Sequence, residues 1–180
     1  EEVGIITKDY KLSSGITQFE LNKIIVELNN DKSVHGILVQ LPLPNQLDEF
    51  IITSKISPLK DVDGLTPHNA GLLAMKKAAL VACTPLGVME IFDYHDIELK
   101  GKNIVLINRS NLVGKPLYHL LLARDATVIT CHSKTKNINE LCQLADIIIT
   151  AVFVVLVFSY IIIANIFGES FLEITKKKDK

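Results

Sequence analysis

Three stretches of this 180-residue chain carry side chains whose type and spacing suit chemistry. The first is Gly36-Ile37-Leu38-Val39-Gln40-Leu41-Pro42-Leu43-Pro44, an apolar run closed by one polar side chain, Gln40. A polar group at the end of such a run must find partners or face a cleft. The second is Lys60-Asp61-Val62-Asp63-Gly64, with two carboxylates one residue apart. On its own the pair reads as a solvated loop; as a binding group, a carboxylate accepts paired N–H donors from a guanidine-like ring edge. The third joins Asn108-Arg109-Ser110-Asn111 to Cys131-His132-Ser133-Lys134. Arg grips a phosphate through paired N–H bonds and Ser adds another, so Arg109 and Ser133 together suit a phosphate. The bland alternative is that Arg109 solvates a turn and Ser133 begins a loop.

These residues need elements to position them. Ile104-Val105-Leu106-Ile107 is a short apolar run of the kind found in a strand covered on both faces. Apolar residues Leu117, Leu120, Leu121 and Leu122 then return at helical spacing over Lys115 to Ala123, with Pro116 near the start. Thr127 to Cys131 forms the next strand, giving a βαβ unit whose ligands bind beyond the strands' carboxyl ends. Arg109 and Ser133 fall just past those ends. Asn137 is placed to cap a helix carrying Ile138, Leu141 and Leu144, and Asp146 to Thr150 reads as a third parallel strand. Earlier in the chain, Thr17 and Glu20 form a capping box for a helix with Leu21, Ile24, Ile25 and Leu28 on one face, and Ile16 staples to Leu21. Asn29-Asn30-Asp31 stops that helix. Gly36 to Leu41 reads as a buried strand ended by Pro42 and Pro44, and Leu47 to Ser57 as a helix with Asp48 at its cap. Thr84 as cap and Pro85 in the first turn begin a helix whose inner face is Val88, Ile91 and Phe92.

Composition narrows the classes. Apolar residues make up 48% and charged residues 22%, a globular balance. A net charge of −1, with no basic and aromatic cluster, argues against nucleic acid. Cys83, Cys131 and Cys142 lack CxxC spacing and an even count, which fits free thiols in a reducing compartment and no metal site.

The chain resembles the methylenetetrahydrofolate dehydrogenase/cyclohydrolase family, and three signatures carry the resemblance. Val34 to Pro44 is similar to V-x-G-I-L-V-Q-L-P-L-P, Lys60 to Leu65 to K-D-V-D-G-[FL], and Asn108 to Pro116 to G-R-S-x-x-V-G-x-P, with C-H-S matched at Cys131-His132-Ser133. Cys83-Thr84-Pro85 resembles the family's C-T-P, with Ala82 in place of a leading proline. The family's first glycine is here Asn108. That glycine lets the backbone approach the nucleotide, and Asn is the substitute that best tolerates a positive φ.

The resemblance implies an α/β protein: an N-terminal α/β folate-binding domain over 1–66, a truncated Rossmann-like nucleotide-binding domain over 67–152, a cleft between them, and an apolar tail over 153–180 unlike the family. It implies NADP-dependent oxidation of methylenetetrahydrofolate and hydrolysis of the methenyl product to formyltetrahydrofolate. Gln40 and Asp63 are then the catalytic residues, Gln40, Leu41, Pro42 and Asp63 the substrate-binding ones, and Thr84, Asn108, Arg109, Ser110 and Ser133 those that hold NADP. The absence of any Asp or Glu between Cys131 and Glu140 agrees with NADP, since NAD-selective sites offer an acidic residue there. Partners implied are tetrahydrofolate derivatives and a second copy of the chain, in a cytoplasmic or mitochondrial setting.

The family's catalytic lysine belongs to a Y-x-x-x-K motif, and no Tyr here has a Lys four residues on. Gln40, whose counterpart positions that lysine, stands without it, so the 180 residues by themselves are expected not to turn over. Two readings follow: part of a true dehydrogenase/cyclohydrolase, or a non-catalytic folate- or nucleotide-binding remnant. In the tail, Ala151 to Phe167 is 17 residues, roughly 25 Å of helix and barely a bilayer span. The lysines beyond it run against the positive-inside tendency of a membrane anchor, and a tail joined on by altered splicing or a gene-model error fits at least as well.

Overall fold

The computed structural model describes residues 4–78 and 80–151, together with the backbone of Ile161 and Ile162. The chain divides into two compact units, Glu1–Asp61 and Val62–Lys180.

In the first unit, helix α1 (Gln18–Asn30) starts on the expected capping box. The Glu20 amide donates to Thr17 Oγ1 at 3.2 Å and the Thr17 amide to Glu20 Oε2 at 2.9 Å. Those bonds hold the Glu20 carboxyl below its ordinary range. Helix α2 (Glu49–Lys55) is capped by Asp48, whose Oδ1 accepts from the Ile51 amide at 3.0 Å. Leu21 and Ile25 of α1 meet Ile52 of α2 with Ile37, Leu47 and Ile56, and Ile16 packs against the same cluster, as the staple requires. Asn29 ties the helices together, donating to the Lys55 carbonyl at 2.7 Å and accepting from the Ser57 amide at 2.8 Å.

The buried strand expected over Gly36 to Leu41 is a correction. Only Ile37 is buried, Leu38 is 59% exposed, and the segment makes one isolated parallel bridge, between Ile37 and Asp61. A strand is held by a ladder of neighbours, and among the described residues this bridge is all the segment has. Its apolar residues therefore serve an extended loop.

The second unit opens with α3 (Pro67–Ala74), whose cap Thr66 accepts from the Asn69 amide at 3.2 Å, and α4 (Cys83–Tyr94). Then come β1 (Asn103–Ile107), α5 (Gly114–Ala123), β2 (Thr127–Cys131), α6 (Ile138–Gln143), β3 (Ile147–Thr150) and β4 (Ile161–Ile162). The sheet order is β2-β1-β3-β4, with the first three parallel and β4 antiparallel to β3. Both faces of β1 are covered. Ile104 and Leu106 pack with Phe92 of α4 and with Leu117 and Leu121 of α5, whereas Val105 packs with Cys131 and Ala145 on the opposite side, where Ile138, Leu141 and Cys142 of α6 add cover. The apolar run of β1 follows from this, because a strand covered on both sides has no polar face. Burying Leu117 and Leu121 completely contributes about 2 kcal/mol each. Desolvation on the opposite side of the sheet, beside Val105 and Ala145, raises the Cys131 thiol above its ordinary range.

Two caps differ from expectation. Helix α4 begins at Cys83 with Ala82 at the N-cap, so Thr84 lies inside the first turn and does not cap it. Pro85 still falls in that turn, where its missing N–H costs nothing. Asn137 occupies the N-cap of α6 but makes no side-chain cap bond; its φ of 55° is the left-handed conformation that Asn tolerates. The face of α4 also shifts, with Met89 and Phe92 buried and Ile91 exposed. The apolar stretch Ala151 to Phe167, weighed above as a membrane candidate, lies almost wholly outside the described residues; among those, no helix is long and apolar enough to cross a membrane.

Candidate functional site

The carboxyl ends of β1 and β2 are level, since Ile107 pairs with Cys131. Arg109 and Ser133 each stand two residues beyond that pair, at matched positions on adjacent strands. Both are exposed, and among the described residues neither forms an ion pair or a hydrogen bond with another side chain. Their turns are nevertheless fixed. Ser110 Oγ accepts from the amides of Val113 at 3.1 Å and Gly114 at 3.4 Å, and its carbonyl accepts from the Lys115 amide at 2.9 Å, which fastens α5 to the turn after β1. Past β2, the His132 amide donates to Thr135 Oγ1 at 2.8 Å and the Lys134 amide to His132 Nδ1 at 3.1 Å, bracing the turn that carries Ser133. A guanidinium and a hydroxyl on two braced turns, with no Asp or Glu between Cys131 and Glu140, make a donor set that suits a ribose-linked phosphate.

Asn108 and Gly114 complete this end of the sheet. The Asn108 backbone is not among the residues with positive φ, so the position does not call for left-handed geometry. Its neighbour explains the glycine at 114: a Cβ there would meet the Asn108 carbonyl oxygen at 2.5 Å and overlap its Oδ1. Thr84 is exposed in the first turn of α4.

In the first unit, Gln40 is exposed and its Nε2 donates to the Leu41 carbonyl at 3.1 Å. Leu41 is half-buried, the Leu41–Pro42 peptide is cis, and Pro42 is exposed. Glu49 holds this loop to α2, because its Oε1 accepts from the Leu43 amide at 3.1 Å. Gln40, Leu41 and Pro42 are thus neighbours in one loop, while Asp63 belongs to the second unit.

The acidic pair separates by environment. Asp61 is 1% exposed and its backbone bridges Ile37, whereas Asp63 is half-buried. Gly64 has a φ of 64°, and a Cβ there would stand 2.9 Å from the Leu80 carbonyl oxygen, so the close approach and the conformation both require glycine. Lys60 has a role that its sequence position does not suggest. Its Nζ donates to the carbonyls of Leu28, Asn29 and Asp31 at 2.9, 2.8 and 2.7 Å, closing the C-terminus of α1. The one available signal was that the last turn of α1 carries no basic residue. Among the described residues, no group of three or more His, Cys, Asp or Glu could hold a metal ion.

Two family models match the chain: tetrahydrofolate dehydrogenase/cyclohydrolase, catalytic domain, over residues 1–63, and the NAD(P)-binding domain of the same name over residues 82–160. The bifunctional protein FolD of Nitrosopumilus maritimus is 82% identical over 152 residues, covering 84% of this chain and 53% of the relative. The chain spans about half the length of the curated relatives it matches. Among solved structures, the bifunctional FolD methylenetetrahydrofolate dehydrogenase/cyclohydrolase of Campylobacter jejuni superposes with a TM-score of 0.75 at 47% identity, over 77% of this chain and 49% of that one. The Trypanosoma brucei enzyme, complexed with NADP cofactor and an inhibitor, gives 0.73 at 37% identity over 77% and 48%.

Proposed function

Since the chain belongs to the tetrahydrofolate dehydrogenase/cyclohydrolase family, we propose that it carries folate- and NADP-site residues for NADP-dependent oxidation of methylenetetrahydrofolate to the methenyl form and hydrolysis of that product to formyltetrahydrofolate, a turnover that these 180 residues, without a Y-x-x-x-K lysine, do not complete by themselves. The observation that carries this reading is the matched placement of Arg109 and Ser133 beyond the level ends of β1 and β2. In the proposal, residues to about 66 form the folate-binding part and 67–152 the nucleotide-binding part. When bound, NADP supplies the acceptor for hydride. Arg109 and Ser133 grip its ribose phosphate, and Ser110 holds the turn that presents Arg109. Asp63 accepts paired N–H groups from the ring edge of the folate, and Leu41 and Pro42 line the place of its reacting end. Gln40 orients groups at the reacting carbon, where the protein's work is to fix geometry and control protons and water. Tetrahydrofolate derivatives as substrates, a homodimer, and a cytoplasmic setting complete the reading on the family's account; the three free cysteines agree with a reducing compartment.

The test is calorimetric titration of the 180-residue chain with 2′,5′-ADP and with 5′-AMP, which differ only in the 2′-phosphate. The parent chain binds 2′,5′-ADP more tightly, and Arg109→Ala weakens that ligand by about ten-fold or more while scarcely changing 5′-AMP. Equal affinity for the two ligands, or an equal loss for both in the variant, refutes the assignment.

A further inference from the structure

In an open parallel sheet, ligands enter where neighbouring strands connect in opposite directions, outside their carboxyl ends. Here that point lies between β1 and β3. The chain leaves β1 towards β2 on one side, and β3 adds on the other, in the order β2-β1-β3. Asn108 is the first residue after β1 and Ala151 the first after β3, and the register pairs Ile107 with Thr150 immediately before them.

The Asn108 side chain crosses this crevice. Its Nδ2 donates to the Ala151 carbonyl, and its Oδ1 accepts from the Ser110 amide at 2.8 Å. It is half-buried and lies against Gly114, where even one added Cβ would overlap it. Three features of a dinucleotide approach are therefore occupied from within. The backbone donor at Ser110 is already bonded, the space over Gly114 at the start of α5 is filled, and the carbonyl ends of β1 and β3 are tied together. A glycine at 108 would free the Ser110 amide and untie the ends of β1 and β3, and would take Oδ1 away from Gly114 while the backbone carbonyl of residue 108 stays against it; the position has no positive φ for Asn to serve.

We propose that Asn108 is an internal clasp: its carboxamide spans the β1/β3 crevice, competes with the pyrophosphate of a dinucleotide for that space, and sets the affinity of the site. The proposal rests on the reading of this sheet end as an NADP site. The clasp acts on the crevice and Arg109 and Ser133 on the ribose phosphate, so the two can be separated.

The experiment titrates NADP and 2′,5′-ADP into the parent chain, Asn108→Gly and Asn108→Ala, with thermal melting of each to establish folding. Both variants remove the two side-chain hydrogen bonds, and Ala does so without adding backbone freedom, so it decides the question should the Gly variant fail to fold. Tightening of NADP by about ten-fold, the scale of one hydrogen bond to a charged group regained, supports the clasp. It gains further support if NADP tightens more than 2′,5′-ADP, which lacks the pyrophosphate bridge. NADP affinity unchanged from the parent in the folded variants overturns the clasp while leaving the NADP reading intact, provided 2′,5′-ADP still binds better than 5′-AMP. Failure of every form to bind any of these nucleotides overturns both.

Discussion

Replacing Lys60 by Met removes the ammonium group and keeps most of the stem, which isolates what the charge does. Three carbonyls at the end of α1 lose a donor at 2.7–2.9 Å. The bonds to Leu28 and Asn29 are partly buried, and the one to Asp31 is exposed, so water replaces the third readily and the other two poorly. Counting about 1 kcal/mol for each of the partly buried bonds and little for the exposed one gives a loss of about 2 kcal/mol. With a urea m-value of about 1–2 kcal/mol/M, the midpoint falls by about 1–2 M. Urea titration followed by far-UV circular dichroism measures it, with Lys32→Met as the control, since Lys32 is exposed and makes no hydrogen bond among the described residues. A Lys60→Met midpoint indistinguishable from that of the control refutes the role given to Lys60. A large drop in the control would show instead that any lysine loss unsettles the unit.

Gly64→Ala places a Cβ 2.9 Å from the Leu80 carbonyl oxygen at a φ of 64°, and the left-handed strain alone costs about 1–2 kcal/mol; a melting temperature equal to the parent's counts against the close approach. Asp93 accepts two bonds from Arg124 at 2.8 and 2.6 Å, and these lower its carboxyl from the ordinary 3.8. The sign follows from linkage: the contribution is present above pH 3.8 and is lost as the pH falls through the lowered value. The stability gap between the parent and Asp93→Asn, measured by denaturation, should therefore narrow below that pH, and a gap that widens in acid contradicts the pairing.

Local signals in this chain were legible wherever the physics was local. The Thr17/Glu20 box, the Asp48 cap and the stop at Asn29-Asn30-Asp31 each involve groups within a few residues, and all three formed. The βαβ order was readable because a strand covered on both faces must be apolar throughout, as β1 is. The fold class and family followed from motifs that keep their spacing. The caps expected at Thr84 and Asn137 departed locally, whereas the other departures share one cause, which is that the deciding partner is distant in sequence. Gly36 to Leu41 has the composition of a strand, but a strand depends on neighbours, and its one bridge goes to Asp61. Thr84 has a capping hydroxyl, yet α4 starts two residues earlier, with the buried Ala82 at its N-cap. Lys60 looks like a surface cation until the end of α1, some 30 residues away in sequence, is seen to need it. Asn108 could be recognised from sequence as a departure from glycine. That its side chain reaches Ala151, 43 residues on, was decided by the parallel pairing of β1 with β3, because only the register of a sheet brings two such strand ends side by side.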